Sequence, residues 1–153
     1  MKSETLLRVL NWFNEYQGEE DKKAMAELYG KLIEEEKQET EDAYKKKDLV
    51  EYLDWIGDVF FVRMWKKYFT SSYCYTDSVD ELFISIVMKL KFNGEIGDIA
   101  NDLINAITIS NYTKSLEKQK DWEKKWKIVK GENFVPPTED IKKIIDKYNI
   151  LFK

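Results

Sequence analysis

Two acidic clusters on neighbouring segments of helical periodicity are the residues of this chain best suited to do chemistry. The first is Glu35-Glu36-Lys37-Gln38-Glu39, and the second is Glu51, Asp54 and Asp58. A helix turns once in about 3.6 residues, so side chains three, four or seven positions apart share a face. Glu36 and Glu39 therefore point one way, and Glu51, Asp54 and Asp58 point together. At the same spacing the first stripe reads Met25, Tyr29, Leu32, Glu36, Glu39, Ala43, and the second continues from Asp58 to Phe61 and Trp65. The acids lie on otherwise apolar stripes, which folding turns toward the core. A buried carboxylate is costly unless it is protonated, paired or bound to a cation. Several facing one another suit a hard divalent metal, magnesium first and manganese as the substitute, because such ions take oxygen ligands and assist chemistry at phosphates. The competing reading is a solvated helix face neutralised by Lys31, Lys37 and the run Lys45 to Lys47. Glu34, Glu41 and Asp42 fall off the stripe and are expected at the surface.

Composition narrows the chemistry. The chain has 153 residues, 43% hydrophobic and 35% charged, with only 6 Gly and 2 Pro. That length suits one domain over residues 1–153, and the scarcity of helix breakers suits an all-α protein. There is no histidine. Its absence removes Ser-His-Asp and Cys-His catalysis, histidine-ligated zinc and the Glu-x-x-His di-iron bundle. Cys74 is the single cysteine, so no internal disulfide can form, and a small packed residue is its expected role. A net charge of -4 with no segregated basic tract argues against a nucleic-acid partner held by general electrostatics. No apolar run reaches the roughly 20 residues of a membrane span, and the start Met1-Lys2-Ser3-Glu4-Thr5 lacks a secretory pattern. A cytoplasmic location is the expectation.

The periodicity predicts a first helix over about 3–17, ended by Gly18, and a long second helix over about 20–46. Asp48, with Glu51 three residues on, resembles a capping box opening a third helix that runs to about 69. Only a short Lys-rich turn separates the two acidic helices, so they are expected to pack as an antiparallel hairpin. Residues 70–77 read as a polar loop. Ser78 with Glu81 opens a fourth helix to about 91, Asn93-Gly94 breaks it, and a fifth helix spans about 95–109. The apolar period then stops. Residues 110–136 read as an ordered loop with scope for a short two-stranded ribbon, and Thr138 as the cap of a last helix bearing Ile141, Ile144 and Ile145. Trp12, Trp55 and Trp65 are expected in the core or an interface. Trp122 and Trp126 are expected to pack the tail onto the bundle rather than stack on a base.

Three segments in order resemble the all-α nucleoside triphosphate pyrophosphohydrolases, a superfamily that includes MazG-type enzymes, dimeric dUTPases and phosphoribosyl-ATP pyrophosphohydrolases. Leu32 to Glu39 is similar to the family's Glu-Glu-x-x-Glu helix. Asp48-Leu49-Val50-Glu51 through Asp54 to Gly57-Asp58-Val59 resembles the second acidic helix of the phosphoribosyl-ATP pyrophosphohydrolase-like branch. Ser110-Asn111-Tyr112-Thr113-Lys114 resembles that branch's Ser-Asn-x-x-Lys segment, followed by a Lys-Gly-x-x-Phe-x-Pro-Pro tail from Lys130 to Pro137. The resemblance covers roughly residues 28–137. Two positions depart from it. Trp55 stands where many relatives carry Glu, and Thr108-Ile109 where many carry His-Arg.

The resemblance implies a helical bundle with a four-helix core and an irregular C-terminal tail, assembled as a homodimer or homotetramer. It implies that Glu36, Glu39, Asp54 and Asp58 hold magnesium, with Glu51 as the alternative to Asp54. Glu35 would be the base that orients the attacking water, or a further ligand. Lys114 would neutralise phosphate charge and Asn111 would hydrogen-bond to phosphate or sugar, and with the Arg missing the grip would lean on Lys114 and other lysines. The implied reaction splits a nucleoside triphosphate into the monophosphate and pyrophosphate. A dUTPase-like, base-selective hydrolase and a non-catalytic helical binding protein are the competing functions. A ligand bound only by the native state raises stability by mass action. Magnesium or manganese is therefore expected to raise the melting temperature of the wild type, and to raise it much less in Glu36→Gln or Asp58→Asn. Equal responses from wild type and variants would remove the metal assignment.

Overall fold

Low glycine and proline content and long stretches of helical periodicity leave little alternative to helix, and the computed structural model is helical over most of its length. It describes residues 1–16, 22–70, 75–115 and 127–153. Among these the order is α1 (Ser3–Tyr16), α2 (Lys22–Lys46), α3 (Leu49–Thr70), α4 (Tyr75–Lys89), β1 (Leu90–Lys91), α5 (Ile96–Asn111), α6 (Thr138–Tyr148) and β2 (Leu151–Phe152). Cys74, Gly18, Trp122 and Trp126, for which the sequence suggests roles, lie outside the described residues.

The α2–α3 hairpin forms as its short turn requires. Lys47 takes a left-handed conformation with φ 57°. This lets the Lys47 N–H donate to the Tyr44 carbonyl (3.1 Å) and the Asp48 N–H reach back to Ala43 (3.0 Å). That is the Schellman closure of a helix. Asp48 then caps α3 by accepting the Glu51 N–H at 3.1 Å, the half of the capping box that satisfies an orphan donor. The paired stripes bury their apolar ends. Met25 and Tyr29 of α2 are fully buried, and Leu32, Ala43, Phe61 and Trp65 nearly so. All six helices contribute to the core, with Trp12 and Phe13 from α1 and Ile141 and Ile144 from α6. Trp12 meets Phe61 and Trp65 edge-on, each with 4.9 Å between ring centroids. Trp55 is part-buried against this core.

α5 crosses α3 at very short range. A Cβ placed on Gly57 would lie 2.7 Å from Cγ1 of Ile107, so only glycine permits the approach. The helix also continues to Asn111, past the expected end near 109, and this places Ser110 and Asn111 on a helix rather than in a loop. The reason is that its last turn buries polar side chains in place of apolar ones. Thr108, Ser110 and Asn111 are buried, and the Thr108 hydroxyl donates to the Ile104 carbonyl at 2.6 Å. The Ser110 hydroxyl donates to the Val135 carbonyl at 2.6 Å. Thr113 Oγ1 donates to the Ser110 carbonyl and accepts the Val135 N–H, at 2.6 and 2.8 Å. These bonds seat the tail against the end of α5.

Three further boundaries differ from expectation. α4 begins at Tyr75 rather than Ser78, because a Ser-x-x-Glu pattern does not stop preceding residues from adding a turn. Thr138 is the first helical residue of α6, with Pro137 at the cap position and no side-chain cap. A two-stranded ribbon forms where none was expected, Leu90 pairing with Phe152 and Lys91 with Leu151, antiparallel, while much of the segment 110–136 expected to hold one lies outside the described residues. Asp42 keeps a side chain 45% exposed and accepts from Gln38 at 3.2 Å. Among the described residues no helix is long and apolar enough to cross a membrane. Gly57→Ala is expected to destabilise the fold by about 1–3 kcal/mol, the usual cost of overpacking a close contact. Urea unfolding checks this, and an unchanged midpoint would show that α5 can move away freely.

Candidate functional site

The close approach of α3 and α5 sets Asp54 and Asp58 beside Asn111 and the turn that follows it. The Lys114 N–H donates to the Asn111 carbonyl (3.1 Å), and the Ser115 N–H donates to the Val129 carbonyl (3.0 Å). The chain thus turns off α5 at Lys114, and the tail returns alongside carrying Lys127 and Lys130. Glu36 of α2 completes the polar group from the other arm of the hairpin. Glu36, Asp58, Asn111, Lys114, Lys127 and Lys130 all line one cleft of about 80 Å³. Core residues line the same cleft, Trp12, Tyr29, Phe61 and Trp65 with Leu28 and Leu32. An adjoining cleft of about 60 Å³ is lined by Asp54 with Asp58, Asn111, Lys114, Lys130, Phe134 and Pro136. A water needs roughly 10–15 Å³ on this scale, so these clefts have room for waters, a cation or a phosphate group. A whole nucleotide would need them to widen.

Burial and like charge dominate the electrostatics. Burial, reinforced by Asp58 and Glu39, pushes the Glu36 carboxyl from its ordinary 4.5 up to about 8, against the opposing pull of Lys127. Burial, then Asp58 and Glu51, pushes Asp54 from 3.8 up to about 7, with Lys130 and Lys114 acting the other way. Burial also raises Asp58, although Lys114 and Lys130 favour its charged form. Lys114 shows the mirror image. Burial pulls its pKa down, Asp58 lifts it, and neighbouring Lys130 and Lys127 depress it further. Carboxylates and lysines are crowded into one poorly hydrated space, where each charge is costly alone and is moderated by the others.

The site residues expected from sequence fare as follows. Glu36, Asp58, Asn111 and Lys114 share the larger cleft, and Asp54 joins the last three in the smaller. Glu39 is half-buried and close enough for its charge to act on Glu36 and Asp58. Glu51 acts on Asp54. Glu35 is part-buried and faces the tail, with Lys127 Nζ 4.0 Å from its Oε1. Among the described residues no three acidic side chains converge tightly enough to make a ready-formed metal site. The donor chemistry still suits a hard cation, since every candidate ligand is a carboxylate oxygen. Drawing several onto one ion takes side-chain rotation from the arrangement described. Sequence reasoning did not pick out Lys127 or Lys130 as site residues. Lys130 carries a signal, because it begins the Lys-Gly-x-x-Phe tail, but Lys127 sits in a run of lysines and tryptophans with no periodicity to single it out.

The raised carboxyls make a signed prediction for the metal-free protein. A carboxyl whose pKa is higher folded than unfolded binds more protons in the native state, so stability falls as pH rises. The contribution of Glu36 and Asp54 is full below their ordinary values of 4.5 and 3.8 and is lost as pH climbs through about 8 and about 7. The depressed Lys114 acts with opposite sign on the alkaline side. With chelator present, the melting temperature is expected to fall between about pH 5 and about pH 8, and Glu36→Gln is expected to flatten that fall. A flat or rising wild-type profile would contradict this account.

Comparison with protein-family models, with curated proteins and with solved structures returns no match.

Proposed function

We propose that this chain is a magnesium-dependent nucleoside triphosphate pyrophosphohydrolase. The observation that carries the reading is one cleft with three kinds of wall. Carboxylates (Glu36, Asp58), lysines (Lys114, Lys127, Lys130) and aromatic side chains (Trp12, Tyr29, Phe61, Trp65) line it together. Carboxylates suit a hard cation, lysines suit phosphate oxygens, and flat aromatic side chains suit a base. Few small ligands carry all three complements, and a nucleoside polyphosphate with its metal is one. The three motif segments add to this, because their residues gather at that cleft and its neighbour. The helical hairpin would belong to the four-helix core of that superfamily.

Within this reading Glu36, Glu39, Asp54 and Asp58 would hold the metal, with Glu51 the alternative to Asp54. When bound, magnesium would neutralise phosphate charge and favour ionisation of a coordinated water. Glu35, on the same helix and steered by Lys127, would accept the proton of the attacking water. The amide of Asn111 is buried beside Asp58 and Lys114 and can hold a phosphate or sugar oxygen in place. Lys114 would stabilise the negative charge that develops on the departing pyrophosphate. An oligomer is part of the proposal. What favours it is the outer face of α4, where Ile84, Val87 and Met88 stand 45–65% exposed, an apolar patch that suits contact with a second copy.

The test is pyrophosphate release from a panel of ribo- and deoxyribonucleoside triphosphates with magnesium, alongside Glu39→Gln. Release by the wild type and a loss of about 100-fold or more in the variant are expected, since removing a metal ligand or its support commonly costs roughly 10–100-fold and charge stabilisation at phosphate is lost with it. A preference confined to dUTP would favour the base-selective alternative. No release from any nucleotide, with manganese also tried, would favour a non-catalytic binding protein.

A further inference from the structure

Lys127 and Lys130 both reach the cleft from the tail, where neither helical periodicity nor the acidic motifs pointed. Lys130 lines both clefts and Lys127 the larger. Lys114 lines both as well, so three lysines line one cleft, Lys130 from an exposed position with its Nζ 4.9 Å from the centre of the Phe134 ring. Like charges repel, and gathering three lysines at one cleft needs a reason. The carboxylates supply part of one: Lys127 stands 4.0 Å from Glu35. Asp58 and Glu36 act on Lys114 as well, and beside these countercharges the three lysines line a space wide enough for a phosphate group. The tail is also held firmly enough to present them. Val135 is bonded to Ser110 and Thr113, and Gly131 packs so closely on Ser115 that an added Cβ would sit 3.2 Å from it.

We infer that Lys127 and Lys130, with Lys114, form an anion-binding clasp for a polyphosphate chain, so that the tail is part of the substrate site. This rests on the nucleotide reading above. Lys114 grips from the end of α5 while Lys127 and Lys130 close on the same phosphates from the tail. Each is an ammonium on a flexible stem that can follow phosphate oxygens from one to the next.

The experiment measures binding of inorganic tripolyphosphate with magnesium by calorimetry, and kcat/KM for the nucleoside triphosphates, in Lys127→Gln, Lys130→Gln, the double variant, and Lys127→Arg and Lys130→Arg. Each Gln variant is expected to weaken tripolyphosphate binding roughly 3- to 10-fold and the double variant more, with a shallower dependence on salt. The Arg variants, which keep the charge, are expected to stay within about 3-fold of wild type. Affinity unchanged in the Gln variants, with or without a lower melting temperature, would overturn the clasp and leave the lysines as countercharges of the acids. Wild type that binds no tripolyphosphate would overturn it too. The two readings separate cleanly. Lysine-dependent tripolyphosphate binding without turnover of any nucleotide would sink the hydrolase and keep the clasp. Turnover indifferent to both lysines would do the reverse.

Discussion

The crossing of α3 and α5 at Gly57 is the contact on which the arrangement of the cleft depends. With Ile107 already at the limit of approach to the Gly57 backbone, the two helices lie as close as glycine permits. Asp54 and Asp58 flank that glycine along α3, and Asn111 lies one turn beyond Ile107 on α5. A wider crossing would part the aspartates from Asn111 and Lys114 and open the space to water. The hairpin supplies the other fixed distance. Its turn is closed by Lys47 and capped by Asp48, so the register between Glu36 and Asp58 is set by backbone hydrogen bonds rather than by the acids, which repel each other.

Such a cleft is held together despite its charges. Burial raises Glu36, Asp54 and Asp58 and lowers Lys114, the signature of groups kept in their places by their neighbours. The aromatic cluster around Trp12, Phe61 and Trp65 provides the apolar stabilisation, at roughly 25 cal/mol for each Å² removed from water. The strain of crowding carboxyls is offset by packing in the next turn of the same helices. Phe61 and Trp65 follow Asp58 on one stripe, and Leu32 and Tyr29 precede Glu36 on the other.

What could be read from the sequence follows a physical line. The hairpin, the burial of the Met25–Ala43 stripe and the half-buried acids were legible because apolar spacing reports which face a helix buries. The capping Asp48 was legible because cap chemistry is local. The end of α5 was not, since Thr108, Ser110 and Asn111 are buried polar residues and a count of apolar positions treats them as solvent-facing. Their partners, Val135 among them, lie far along the chain, and no local signal names a partner at that separation. For the same reason the lysines of the tail were invisible as a group. Lys114, Lys127 and Lys130 become neighbours only after the tail docks.

Charge sets the last constraint on what this cleft can accept. The carboxyls of Glu35, Glu36, Glu39, Glu51, Asp54 and Asp58 outnumber the ammonium groups of Lys114, Lys127 and Lys130. If all were ionised, the surplus would be negative, and a polyphosphate would add to it. An anionic ligand can therefore enter on favourable terms only if the acids keep protons or share a cation. Protons serve near or below the raised pKa values of Glu36 and Asp54, about 8 and about 7, but a proton held on the acids leaves them unable to orient water. A divalent cation removes the surplus while leaving the oxygens ionised. On the proposed reading, phosphate chemistry in this cleft would need metal and lysines together, the first to balance the acids and the second to hold what the acids would otherwise repel.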